Sequence, residues 1–301
     1  MSRIVMLDKS YDLFLGYTWG EVSQGISGHL YECIEYYHIL KQHFKVGIFF
    51  CSTEGMTKEV IYNVMLEKYD FTEDEMQQLL SDVHHFDTPK ILKGKNVLFV
   101  DGYFPKIKDT HLLFDNIMAF ACYNRALLAM DNITGFLDFR VYGECTHHKN
   151  YVKKMLFSRY KKFDSVKTNT NLLYNKRQRL ITPEVFGQLE RNYDGDFLVI
   201  SDIPIEGLSE RFEIYNPPVK NLFEKFDNYI YTPLAKKFDC SPRFISECKW
   251  YGKGVYYHNI DYWNEDTGLY WRKHDIENNF ESLMLTDKDE IVRLVGEIIN
   301  V

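Results

Sequence analysis

Apolar residues fall into short runs that alternate with amphipathic stretches. "RIVML" (3–7) is the first run, and a loop containing Gly16, Gly20, Gly25 and Gly28 follows it. Residues 29–43 space Leu30, Cys33, Ile34, Tyr37 and Leu40 as one face of a helix. "KVGIFFC" (45–51) has the length and apolar content of a buried strand. Residues 58–83 are charged and helical in pattern, "NVLFVDG" (96–102) is strand-like, and 110–129 has a helical pattern. "TGFLDFR" (134–140) and "DSVKTNT" (164–170) have strand character. The alternation then restarts with strands in "YDGDFLVISD" (193–202), "FEIYNP" (212–217), "NYIYTP" (228–233) and "GVYYH" (254–258). A final helix presents Ile291, Leu294, Val295 and Ile298.

Strands alternating with helices predict parallel sheets covered on both faces. The expected fold class is therefore α/β, with two Rossmann-like domains facing a cleft and C-terminal helices closing the chain. The expected boundaries are 1–188 and 189–301. Ligands of such sheets bind outside the carboxyl ends of the strands.

Composition narrows the class. With 301 residues, 45% apolar and 26% charged, the chain has the makeup of a folded domain pair. No run approaches the ~18 apolar residues of a membrane span, and the start carries no secretory signal pattern. Six cysteines without CxxC spacing predict reduced thiols and a cytoplasmic location, the host cytoplasm if the protein is viral. A net charge of −7 excludes a uniformly basic nucleic-acid binder.

That average conceals a basic block, "KNYVKKMLFSRYKKFDSVKTNTNLLYNKRQR" (149–179), whose only acid is Asp164. Basic blocks with interleaved aromatics contact polyanions and stack on exposed bases. Lys153, Lys154, Lys161, Lys162 and Tyr160 are the candidate DNA contacts; a solvated basic face is the plainer alternative.

Candidate chemistry concentrates in "FDCSPRFISECKWYGKGVYYH" (238–258). Ser241 suits an N-cap, Pro242 a first helical position and Gly252 a helix stop, which predicts a helix over 242–251. Arg243 at the positive end of a helix is unfavourable unless an anion or an i,i+4 partner accompanies it, and Glu247 supplies that spacing. Helix-start N–H groups plus a guanidinium suit a phosphate. Lys220, Arg211 and Arg272 are further candidates for a phosphate clamp.

The GT-B glycosyltransferase family offers a parallel. Asp239 and Glu247 are separated by seven residues, and "CKWYGKGVYYH" continues into a Gly and an apolar strand. This resembles the donor-binding element of that family. The resemblance implies that Glu247 binds the ribose hydroxyls of a nucleotide-sugar, a UDP-sugar foremost. It implies that backbone N–H groups around Ser241–Phe244 hold the diphosphate and that Asp239 touches the sugar, without a required metal or other cofactor. Retaining members usually carry Glu where Asp239 stands, so retention and inversion both stay open.

The glycine loop after the first run places Gly25 where backbone can approach the donor, and Trp19 where it could stack. His29 follows as a catalytic candidate, base or donor to the sugar, with a structural histidine as the alternative. Asp8, Asp101 and Asp138 end expected strands and are alternative bases. His84-His85 and Cys145-x-His147-His148 lack four-ligand zinc spacing, so no metal site is expected. The Tyr-, Phe-, Lys- and Asp-rich composition with few prolines resembles that of large-phage proteins, whose DNA glycosyltransferases modify hydroxymethylated pyrimidines. The expected function is transfer of a sugar to an acceptor hydroxyl, with hydroxymethylated DNA as one acceptor. The alternatives are a glycan or small-molecule acceptor, or a non-catalytic sugar-nucleotide or nucleic-acid binder.

Overall fold

A computed structural model describes residues 11–17, 28–51, 55–86, 93–100, 113–120, 134–137, 149–150, 157, 159–164, 167–175, 181–217, 219–232, 243–258, 262–264, 269–271 and 289–299. The chain divides into two units, Met1–Lys161 with Leu285–Val301, and Lys162–Met284. Among the described residues, no helix is long and apolar enough to cross a membrane.

The first unit holds strands β1 (Leu13–Tyr17), β2 (Val46–Cys51), β3 (Val83–Phe86), β4 (Lys93–Phe99), β5 (Leu113–Phe120), β6 (Thr134–Leu137) and β7 (Lys149–Asn150). They lie in the order β3-β2-β1-β4-β5-β6-β7, every neighbouring pair parallel. This is the Rossmann order, which reverses direction between β1 and β4. Its helices are α1 (Gly28–Leu40), α2 (Lys58–Lys68) and α3 (Glu73–Ser81), with the terminal helix 289–299 in the same unit.

Several expectations change here. "LFLGY" was expected as loop because of Gly16, yet all five residues of β1 are buried. Gly16 is needed for packing: a Cβ there would meet the Phe99 ring at 2.7 Å and the Phe49 ring at 2.9 Å. The stretch 58–83 is two helices and a strand. Thr57 caps α2, and Thr72 with Glu75 forms a capping box that starts α3. Between them Tyr69 is extended and bridges Tyr160. The expected helix over 110–129 is strand β5 across 113–120, because this segment lies between β4 and β6 with ladder pairing on both sides. "RIVML" lies outside the described residues.

The second unit holds β8 (Thr170–Asn175), α4 (Pro183–Asn192), β9 (Asp196–Ser201), β10 (Phe212–Tyr215), β11 (Asn228–Tyr231), α5 (Arg243–Trp250) and β12 (Gly254–Tyr257). A short antiparallel pair follows, β13 (Tyr262–Asn264) and β14 (Leu269–Trp271). The main sheet runs β10-β9-β8-β11-β12, again all parallel. Counted from β8, this is the same Rossmann order with its reversal between β8 and β11. The expected boundary at 188/189 is therefore corrected to 161/162. The strand of this region is 170–175 rather than 164–170, and it is the central strand of the second sheet. The terminal helix, expected to close the second domain, groups with the first.

One face of the second sheet buries Leu173, Phe197, Val199 and Ile230 against Phe186 and Leu189 of α4. The other face is aromatic, with Tyr174 and Tyr229 both edge-on to Phe244 of α5 at 5.0 Å. Polar groups lock the amino edge. Asp227 Oδ2 accepts from the backbone N–H groups of Thr168 and Asn169 at 2.8 and 2.5 Å, and Asn228 donates to Asn171.

His38 of α1 stacks on Phe71 with centroids 4.0 Å apart, and its Nε2 is buried without a hydrogen-bond partner. Burial, helped by Lys41 and Arg159 and opposed by Glu75, lowers its pKa from 6.5 to about 3. The folded chain thus disfavours the proton that the unfolded chain accepts. The resulting stability is complete above pH 6.5 and is lost as pH falls toward 3. His38→Phe should flatten the fall of the urea-unfolding midpoint across that window. Parallel pH profiles for variant and wild type would refute this assignment.

Candidate functional site

In an open parallel sheet the crevice lies at the carboxyl ends of the strands where their order reverses. In the second unit that is the carboxyl edge of β8 and β11. Asn175 ends β8, only 2% exposed. Its Nδ2 donates to Ser201 Oγ at 3.2 Å, and its Oδ1 accepts from Ile181 N–H at 2.7 Å. Ser201 ends β9 and donates to the Ile203 carbonyl at 2.7 Å. This knot fixes where the chain leaves β8 and returns to α4.

After β11 the next described helix is α5. It terminates as the sequence anticipates: Gly252 has φ +68°, Lys253 N–H donates to Cys248 carbonyl at 2.8 Å, and Gly252 N–H to Lys249 carbonyl at 3.1 Å. This is a Schellman closure. Phe244 seats the helix on Tyr174 and Tyr229 and stacks on Phe223, which also receives Tyr251 at 4.5 Å.

Arg243 and Glu247 form the expected i,i+4 pair, Nε to Oε1 at 3.3 Å. It is not a solvated surface pair, for Arg243 is 8% exposed and Glu247 4%. Tyr251 lies within the field of both. Burial raises its pKa most, the Glu247 carboxylate raises it further, and Arg243 opposes them. The arrangement places a guanidinium and a carboxylate, both shielded from water, on the helix that follows the reversal strand. A guanidinium there can bind phosphate oxygens, and a carboxylate can accept from hydroxyls.

In the first unit, His29 stands at the start of α1, the helix after β1, and so beside that sheet's own reversal. His29 Nδ1 and Glu32 Oε2 are 2.9 Å apart, with Glu32 5% exposed. Sequence reasoning did not single out Glu32; the His-x-x-Glu spacing at a helix start was the available signal.

Other candidates fall elsewhere. Lys220 is exposed in the turn before the short helix 222–224. Arg211 donates to the carbonyls of Glu190, Tyr193 and Gly195, closing the end of α4, so it is a structural cap and not a phosphate clamp. Tyr160 is 3% exposed, edge-on to Tyr69 and Phe157, and cannot stack on a base in this arrangement. Lys161 donates to the Leu66 carbonyl, and Arg159 holds Glu75 through two bonds of 2.9 and 2.7 Å. Lys162 is exposed. Asp239, Ser241, Gly25, Lys153 and Lys154 lie outside the described residues, as do Trp19, Asp8, Asp101, Asp138, Arg272, Cys145, His147 and His148. His84 approaches the Tyr11 hydroxyl at 3.4 Å. Among the described residues, no group of three or more His, Cys, Asp or Glu is placed to hold a metal.

No protein-family model matches the chain, and no curated protein or solved structure matches it.

Burial changes what truncation should do. Removing either member of the Arg243–Glu247 pair leaves a buried charge, which costs about 3–5 kcal/mol, whereas removing both is far milder. Arg243→Met and Glu247→Leu should each lower the urea midpoint more than the double variant does. Additive losses in that cycle would show that the pair is not energetically coupled.

Proposed function

We propose that the chain is a glycosyltransferase whose second unit holds a nucleotide-sugar at the carboxyl edge of β8 and β11. The observation that carries this reading is the buried Arg243–Glu247 pair on α5, the next described helix after the reversal strand of a Rossmann-ordered sheet. The spacing of Asp239, Glu247 and Gly252, similar to the GT-B donor element, supports it from the sequence side.

The chemistry follows from charge. Breaking the bond between the sugar's anomeric carbon and the phosphate oxygen leaves both bonding electrons on a nucleoside diphosphate. Arg243 and the start of α5 stabilise that growing negative charge. Glu247 accepts hydrogen bonds from ribose hydroxyls. An acceptor hydroxyl attacks the anomeric carbon and must lose its proton. Within the first unit, the His29–Glu32 pair offers base chemistry of its own: with Nδ1–H held by Glu32, the lone pair that can take a proton is on Nε2.

The acceptor is proposed as a hydroxyl on a glycan or small molecule. The basic block supports DNA less than its composition suggested, because Tyr160, Arg159 and Lys161 are engaged in packing within the first unit.

A panel of UDP-, GDP-, ADP- and CMP-sugars tests the donor, by thermal shift and by release of the nucleotide. A donor at 100 times its Kd should add about 2.7 kcal/mol of stability. Failure of every sugar nucleotide to stabilise the chain would remove this reading.

A further inference from the structure

Among the described residues, the large apolar side chains left exposed are Leu66, Ile214 and Tyr256, and of these only Tyr256, at 44%, is aromatic. A single exposed apolar residue is ordinary; Tyr256 differs in its surroundings. It lies on β12, the last strand of the second sheet, which pairs with β11. Successive residues of a strand face opposite sides of the sheet. Tyr257 meets Tyr231 at 6.1 Å, on the face that Tyr229 presents to Phe244 of α5. Tyr256 and His258 therefore belong to the other face, that of α4. There α4 covers Leu173, Phe197, Val199 and Ile230 of β8, β9 and β11, and among the described residues no β12 side chain joins that core. Tyr256 stands at its rim.

Three side chains accompany it. Tyr193, which ends α4, meets Tyr256 with centroids 5.5 Å apart and planes at 42°, and meets His258 at 6.2 Å. His258 is 8% exposed, and its Nε2 lies 3.3 Å from Oε1 of Gln188 on α4. An amide oxygen accepts, so Nε2 donates and Nδ1 keeps the acceptor lone pair. Burial lowers the His258 pKa from 6.5, so the imidazole is neutral at pH 7. Burial raises the Tyr193 pKa and the neighbouring Tyr256 phenol raises it further, so this hydroxyl keeps its proton.

The rim thus joins an exposed ring to phenol, amide and imidazole groups, with no charged side chain among the four. A nucleic acid or a phosphopeptide would bring anionic oxygens that none of them neutralises. Rings inclined at 42° do not form a parallel slot for a flat base. The matching ligand is neutral, has a face of C–H groups for the ring, and carries hydroxyls at its edge that donate and accept. A pyranose ring has this combination.

We propose that Tyr256, Tyr193, His258 and Gln188 form a saccharide-binding site, with Tyr256 as the platform for a sugar ring and Gln188 and the tyrosine hydroxyls as partners for its hydroxyls. The site lies on the α4 face of the sheet, opposite α5, and does not rest on the nucleotide-sugar reading.

Saturation-transfer NMR and calorimetry on the full chain test it. The probes are the methyl glycosides of glucose, galactose, mannose and N-acetylglucosamine, with their β-linked trisaccharides and with uridine and adenosine. At least one saccharide should bind, with transfer strongest at its ring C–H protons. Tyr256→Ala should weaken it at least tenfold, while Tyr256→Phe, which keeps the ring, should stay within about threefold. Gln188→Ala should weaken it by about tenfold. Because Tyr256 is exposed, Tyr256→Ala should leave the Tm nearly unchanged. Binding of none of the saccharides, or saccharide binding that Tyr256→Ala leaves intact, would overturn the proposal. Nucleoside binding lost in Tyr256→Ala without saccharide binding would overturn it too and mark Tyr256 as a base-stacking residue. Failure of every sugar nucleotide at α5 would leave this site untouched.

Discussion

Phe244 is the contact on which the candidate site depends. Its ring meets Tyr174 of β8, Tyr229 of β11 and Phe223 of the short helix between β10 and β11. These strands flank the reversal of the second sheet. Phe244 is half-buried, so it contributes part of the about 1.5–3 kcal/mol that full burial of such a side chain supplies, and ring–ring geometry adds about 0.5–1.5 kcal/mol per pair. That energy fixes the rotation of α5 about its axis. With Phe244 turned to the sheet, Arg243, Ser246 and Glu247 are carried to their positions by the helical repeat. The chemistry of the helix is thereby coupled to the strands that define the crevice.

Each sheet separates scaffold from candidate site by its two edges. At the amino edges, polar side chains tie strands together. Asn96 donates to the Asp12 carbonyl and receives from Asn116 in the first unit, while Asn171, Asn228 and Asp227 do equivalent work in the second. Asn169 there adopts φ 54°, a conformation held by the Asp227 carboxylate and the Asp196 N–H bond to its carbonyl. The carboxyl edge of the second sheet carries the Asn175–Ser201 knot, and α5 follows its reversal strand. In the first unit His29 and Glu32 open the helix that follows β1.

The sequence disclosed those parts of the fold whose signal is local. β2, β9, β11 and β12 announce themselves as apolar runs, and α5 carries its own stop at Gly252. Local signals misled where partners far along the chain decide. Gly16 mimics a loop residue until Phe49 and Phe99 are placed beside it, and residues 113–120 become a strand because β4 and β6 flank them. The same division holds at the site. The i,i+4 spacing of Arg243 and Glu247 was legible, but their burial was not, since it comes from tertiary packing. Arg211, Arg159 and Tyr160 look like ligand contacts in composition, yet each is satisfied by groups distant in sequence. The Asn175–Ser201 bond requires the β8–β9 pairing to be known.

The central claim is that the carboxyl edge of β8 and β11, with α5, binds a sugar nucleotide. Hydrogen–deuterium exchange with and without a saturating sugar nucleotide tests it most directly, because it reports location without presuming any residue's role. The account predicts slowed exchange in α5 and around Asn175 and Ser201, with Asn169, Asn171 and Asp227 at the opposite edge unchanged. Protection at the amino edge with α5 unaffected would contradict it.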